Sequence, residues 1–305
     1  MPDECLPGAL DSMRDALLAW YAADHRALPW RDTTDPYEIL VAEVMSQQTQ
    51  LERVVDAWEA FLERWPTVAA LADTPRAEVV AFWSDHRLGY NRRARFLHES
   101  ASIIAHDWDG SFPREPDELE RLPGVGPYTA NAVASFAFNN GDAVVDTNVK
   151  RILFRLCTAS TDREPSYERL ASRLMPPATS RQWNNAMMEL GGVVCEKRPR
   201  CDEGNCPWRR WCDAYATGDF TAPDVPSQPT FDGSRRQFRG RIVRIVSEAG
   251  RVTCSELGPR VRVDFDPADQ DDRSWLRDLV ESLAADGLVR LETATDEWAV
   301  APVAE

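Results

Sequence analysis

Leu-Pro-Gly-Val-Gly-Pro-Tyr-Thr-Ala occupies residues 122–130, between two stretches of helical character. Gly124 and Gly126 permit tight backbone angles and leave no side chain in the way. Pro127 is suited to open the following helix. Amides of such a turn and of the helix start behind it can face a phosphate. The pattern is that of a helix-hairpin-helix, in which Pro123, Gly124, Val125, Gly126 and Thr129 are candidate DNA-backbone contacts.

Outward from this hairpin, the sequence predicts helices almost without interruption. One covers most of the first 25 residues. The next starts at Asp35, a capping residue followed by Pro36, with Glu38 three positions after the cap. Others are expected near 51–64, 67–72, 76–83, 91–106, 116–121, 127–138, 147–157, 166–174 and 181–190, with Asn139, Asn140 and Gly141 as a terminator. Residues 217–235, with three prolines and two glycines, read as a linker. Beyond it the expectation is a small α+β, winged-helix-like module. Its strands are expected at 238–246, 251–257 and 260–265, its helix at 272–285, and a hairpin at 288–293 with 297–302. The expected organisation is a body over 1–216, a linker over 217–235 and a module over 236–305. In the body, a helical lobe covers about 30–140. A second lobe is built from 1–29 and 141–216, with a cysteine loop at 195–212.

The 305 residues carry 50 acidic and 35 basic side chains, a formal charge of −15. Only Lys150 and Lys197 are lysines. A negative total argues against phosphate binding by the average surface, but not by a local patch. Two such patches stand out: Arg87, Arg92, Arg93 and Arg95, and Arg235, Arg236, Arg239, Arg241 and Arg244. The acidic, lysine-poor composition points to a salt-accumulating microbe such as a halophilic archaeon; a GC-rich genome gives a similar bias. The N-terminus has neither a basic nor an apolar signal region, and no run approaches a membrane span, so a cytoplasmic monomer is expected.

Four of the seven cysteines, Cys195, Cys201, Cys206 and Cys212, lie within 18 residues. In a reducing compartment this reads as a metal or iron–sulfur site, with four-cysteine zinc as the alternative. Glu43 follows Ile39 by four residues and Leu40 by three, which puts a carboxyl on an apolar helix face. Burial there would raise its pKa and suit a proton donor. Gln47, Gln48 and Thr49 follow as polar groups able to meet base edges. Asp146 precedes the helix at Thr147. It reads as a plain N-cap or, with the nearby amides and helix dipole, as a stabilised anion. One carboxyl pushed up and one pushed down would make an acid and an electrostatic partner.

Taken together, Leu28-Pro-Trp-Arg31, Asp35-Pro-Tyr37, Glu43-Val-Met with Gln47-Gln-Thr49, Leu88-Gly-Tyr90, the 122–129 hairpin, Asp146 with Asn148-Val149, Glu189-Leu-Gly191 and the cysteines resemble the mismatch adenine DNA glycosylases of the helix-hairpin-helix superfamily. The resemblance covers about residues 28–217. It implies a mainly α, two-lobed glycosylase fold with an iron–sulfur loop. Glu43 would protonate the adenine, Asp146 would stabilise the sugar cation, and Tyr128 and Asn148 would shape the pocket. Gln48, Leu88, Tyr90 and Arg92 would lie near the distorted duplex. The four cysteines would hold a [4Fe–4S] cluster, although their spacing of five, four and five residues departs from the family's six, two and five. The partner would be double-stranded DNA with a mismatched or oxidised base pair.

A lysine nucleophile occupies the matching position in lyase relatives. Tyr128 cannot form a Schiff base, so simple hydrolysis is expected. Ser46 and Asn91 depart from the family pattern, and the tail is too short for the family's Nudix-like domain. The alternatives are a thymine or uracil mismatch glycosylase, and a non-catalytic DNA-binding iron–sulfur protein.

Overall fold

A computed structural model describes residues 9–140, 143–157, 166–223, 231–293 and 297–303. Cys5, Gly141 and the 224–230 part of the expected linker lie outside them. Among the described residues no strand precedes Val252, and no helix is long and apolar enough to cross a membrane. The fold is mainly α, and its chain divides into two compact units.

The first unit comprises Met1–Leu40, Pro113–Arg121 and Val125–Pro226. Its helices are α1 (Leu10–Ala23), α7 (Pro116–Leu119), α8 (Pro127–Phe138), α9 (Thr147–Leu156), α10 (Tyr167–Leu174), α11 (Ser180–Val193) and α12 (Asp213–Thr217). Met13 and Leu17 of α1, Ile152 and Leu153 of α9, Leu170 and Leu174 of α10, and Trp183, Met187 and Leu190 of α11 bury one another at helical spacing. Trp208, from the cysteine loop, enters the same core and donates its indole N–H to the Met13 carbonyl at 2.9 Å.

The second unit comprises Val41–Phe112, Leu122–Gly124 and Ser227–Glu305. It takes the end of α2 (Pro36–Ser46), then α3 (Leu51–Arg64), α4 (Val68–Ala72), α5 (Arg76–Asp85) and α6 (Arg92–Ser102). The start of α2 is where the sequence places it, with the Asp35 carboxylate accepting from Tyr37 N–H at 2.8 Å.

The C-terminal module corrects two expectations. The sequence suggests strands at 238–246 and at 251–257 with 260–265. Instead α13 runs over Arg235–Ala249 and α14 over Cys254–Val261, with only β1 (Val252–Thr253) between them. The run Arg241-Ile-Val-Arg-Ile-Val246 repeats every three residues, and it buries Ile242, Val243, Ile245 and Val246 on one side of a helix. Ser234 caps α13, and Thr253 with Glu256 forms a capping box for α14. The expected last helix and hairpin are present as α15 (Gln270–Ala285), β2 (Arg290–Glu292) and β3 (Ala299–Ala301). The three strands are antiparallel in the order β1-β3-β2, with Val300 paired to both Val252 and Leu291.

Candidate functional site

Asp146 caps α9. One carboxylate oxygen accepts from Val149 N–H at 2.7 Å and the other from the Asn148 amide at 2.8 Å. Both carboxylate oxygens are thereby occupied. Asn148 is itself fixed, because its oxygen accepts from Arg151 at 2.8 Å. Arg151 also donates to the Gly191 carbonyl at 2.8 Å and the Cys195 carbonyl at 2.7 Å. Burial pulls this guanidinium below its ordinary value, while the nearby Cys195 and Asp146 work against that. Gly191 is required by close approach: a Cβ there would lie 2.7 Å from the Asn148 Cβ. The first unit therefore delivers Asp146 and Asn148 as one braced pair. Tyr128, half-buried, and Thr129, buried, are in the first turn of α8 in the same unit.

The hairpin turn has the geometry its glycines suggest. Gly124 has φ +75°, and a Cβ on it would meet the Phe96 ring at 2.7 Å. Gly126 is the N-cap of α8, in extended conformation and itself without a capping side chain. Pro123, Val125 and Gly126 complete the turn. The amides at this helix start suit an anion.

Glu43 stands on the second unit, half-buried between buried Ala42 and Val44 on α2. Beyond it the chain reverses through Gln47, Gln48 and Thr49. Gln48 has φ +56°, and in the 86–91 loop Arg87 and Tyr90 have φ +53° and +48°. Left-handed backbone at non-glycine residues is costly and gathers at functional loops.

Both loops hang on Arg93, which the sequence groups with a DNA-facing patch. Arg93 is instead buried. It donates to the Val44 carbonyl at 2.6 Å and the Gln47 carbonyl at 2.5 Å, and also to Thr49 Oγ1 at 3.1 Å and the Leu88 carbonyl at 2.7 Å. Thr49 in turn donates to the Leu88 carbonyl at 3.2 Å. Burial lowers the guanidinium to about 10, still far above neutrality, so it stays charged. Its cue in the sequence is the same as for Glu43: a charge four residues from Leu97 on the apolar side of a helix.

A second unforeseen network joins two of the quoted motifs. The Glu189 carboxylate, 2% exposed, accepts from Arg31 at 2.7 Å and Arg26 at 2.9 Å, and Arg31 also donates to the Arg26 carbonyl at 2.9 Å. Burial raises the Glu189 carboxyl, but the hydrogen bonds from Arg26 and Arg31 overcome that and hold it below its usual range.

The expected [4Fe–4S] cluster is corrected. Among the described residues no group of three or more His, Cys, Asp or Glu is arranged to hold a metal ion. Cys195, Cys201, Cys206 and Cys212 border a small space of about 20 Å³ together with Arg155, Trp208 and Phe220. Burial raises the Cys201 and Cys212 thiols and pushes Cys206 up to about 12. The unusual loop spacing is the sequence feature that agrees with this. Arg155 organises the loop instead, donating to the Glu196 carbonyl at 2.6 Å and the Lys197 carbonyl at 3.1 Å.

Residues 41–177 match the family model of HhH-GPD superfamily base excision DNA repair proteins. The chain is 41% identical to the adenine DNA glycosylase of Mycolicibacterium smegmatis, over 93% of this chain and 94% of that one. It is 37% identical to the adenine DNA glycosylase of Rattus norvegicus, over 72% of this chain and 45% of that protein. Among solved structures it is similar to a thermostable thymine-DNA glycosylase, with a TM-score of 0.62, 29% identity, and coverage of 68% of this chain and 99% of that one. It is also similar to a non-covalent endonuclease III–DNA complex, with a TM-score of 0.55, 27% identity, and coverage of 69% of this chain and 94% of that one.

Proposed function

The chain belongs to the adenine DNA glycosylases of the helix-hairpin-helix base excision repair superfamily, and from that premise we propose that it hydrolyses the N-glycosidic bond of adenine mispaired with 8-oxoguanine or guanine. The observation that carries this is the 41% identity to an adenine DNA glycosylase along almost the full length of both chains. The product is an abasic site.

The partner is double-stranded DNA, with the adenine turned out of the stack so that its glycosidic bond can be reached. Glu43 donates a proton to the departing base. Asp146, oriented by Val149 N–H and the Asn148 amide, stabilises positive charge on the sugar and guides the incoming water. Leaving-group protonation with cation stabilisation is the general logic of glycosidic cleavage. Tyr128 carries no amine, which supports hydrolysis over a lyase reaction. The hairpin at Pro123–Gly126 and Thr129 grips backbone phosphate, while Gln47, Gln48, Thr49, Leu88, Tyr90 and Arg92 meet the distorted duplex. The body acts as a cytoplasmic monomer with residues 236–305 as an appended module, and the acidic composition supports work in concentrated salt.

The similarity to a thymine-DNA glycosylase favours one second reading, removal of mismatched thymine or uracil. Base release from A:8-oxoguanine, A:G, T:G and U:G duplexes separates the two. Adenine release from the first two is the expected result, and release confined to T:G or U:G would overturn the proposal.

A further inference from the structure

A cleft of about 1370 Å³ lies wholly within the second unit. One wall is the helical part, which contributes Arg53, Arg87, Arg92 and Arg93. The other is the C-terminal module, whose α13 contributes Arg236, Arg239, Arg241 and Arg244. Asp286 is the one acid among the described lining residues. The whole chain has 50 acids for 35 bases, so eight arginines against one carboxylate is an inversion of the average surface. Composition alone does not produce it.

Some of these arginines are committed to the fold. Arg93 holds the two loops, Arg239 pairs with Asp286 at 2.5 Å, and Arg241 donates to the Val261 carbonyl at 2.6 Å. Others are held loosely. Arg92 and Arg244 have ion pairs only at 3.9 Å, to Asp286 and Glu248, and their side chains are 58% and 49% exposed. Arg236, by contrast, is held: it donates to the Tyr90 hydroxyl across the cleft and lies over the rings of Tyr90 and Phe231, at 5.0 Å and 5.2 Å. A mouth this large exceeds the roughly 300–1000 Å³ of small-molecule pockets. Its chemistry is that of a polyanion site, because guanidinium groups match phosphate oxygens bidentately. The left-handed Gln48 and Tyr90 stand on the same lining.

We propose that the C-terminal module is one jaw of a DNA grip: the cleft between α13 and the 46–50 and 86–91 loops seats the sugar–phosphate backbone of the duplex. This rests on the reading that the chain acts on duplex DNA. It adds a task for the module, which supplies half of the cleft's positive charge. The grip is sequence-independent, since phosphates carry no base information.

The test is the salt dependence of binding by the full chain. Affinities for a mismatched and a fully matched duplex are measured by fluorescence anisotropy across a KCl series. The slope of log affinity against log salt falls by about 0.9 for each phosphate no longer neutralised. The double variant Arg92→Ala with Arg244→Ala is expected to lower that slope by about two on both duplexes. The lysine double variant keeps it, and Arg277→Ala, on α15 away from the cleft lining, leaves it unchanged. If the double variant fails to fold, Arg244→Ala alone is expected to give about half the effect. An unchanged slope in these alanine variants overturns the proposal, as does an equal drop in Arg277→Ala. So does tighter binding of a polyglutamate peptide than of the duplex. A parent protein that releases no adenine but shows the slope effect would sink the glycosylase reading and leave the grip standing.

Discussion

Arg93 concentrates more of the site's geometry in one side chain than any residue singled out in the sequence. It neutralises carbonyls at the C-terminal end of α2, where a cation also favours the helix dipole. Replacing it with Met leaves buried carbonyls without a donor, at a cost of about 3 kcal/mol. Urea unfolding of Arg93→Met checks this, and Arg93→Lys is expected to recover only part of the loss, because an ammonium cannot span both loops. Glu189 makes a pH prediction. Its folded carboxyl is held below the ordinary 4.5. The stabilisation is therefore complete above that value and is lost as the pH falls through the lower folded pKa. Melting temperatures measured from pH 7 to 3 are expected to drop on the acid side in the parent, and Glu189→Gln to be less stable at neutrality with a flatter acid limb. A parent curve no steeper than the variant's would contradict that.

At the scale of elements, the close approach of α9 and α11 is set by Gly191. Gly191→Ala drives a methyl against Asn148 and is expected to slow base release severalfold while duplex affinity holds, which single-turnover kinetics alongside anisotropy would show. Gly124→Ala acts differently, since neither its φ of +75° nor its closeness to the Phe96 ring tolerates a side chain. Destabilisation of about 1–3 kcal/mol is expected, with weaker binding to every duplex. The helices of the body are legible because caps and prolines mark their starts: Asp35 before Pro36, Gly126 before Pro127, and Asp146 before Thr147. The module's first two helices are not. Ile and Val favour strands locally, and against them stand only the Ser234 cap, the Thr253–Glu256 capping box and the three-residue repeat of Arg241-Ile-Val-Arg-Ile-Val246. Glu43 is visible as a charge on an apolar face. Arg93 offers the same cue, but what it does, like what Glu189 does, is hidden until the carbonyl partners of the one and the arginine partners of the other, distant in sequence, are seen. The clustering of four cysteines suggests a metal that the arrangement of the thiols does not support.

For the whole molecule, the charge of −15 and the arginine-lined cleft oppose each other, and salt decides between them. Screening relieves repulsion between the acidic surface and DNA while it weakens the arginine–phosphate contacts, and on the saline-cytoplasm reading the first effect is large enough for activity to persist in molar KCl. A maximum at low salt would remove the saline-cytoplasm reading without touching the chemistry. The proposed chemistry assigns the proton to Glu43 and the sugar cation to Asp146. Single-turnover adenine release from an A:8-oxoguanine duplex, measured for the parent, Glu43→Gln and Asp146→Asn with binding recorded in parallel, tests it most directly. Both variants are expected to bind the duplex normally and release adenine at least about 100-fold more slowly; a near-parental rate in either one would contradict the account.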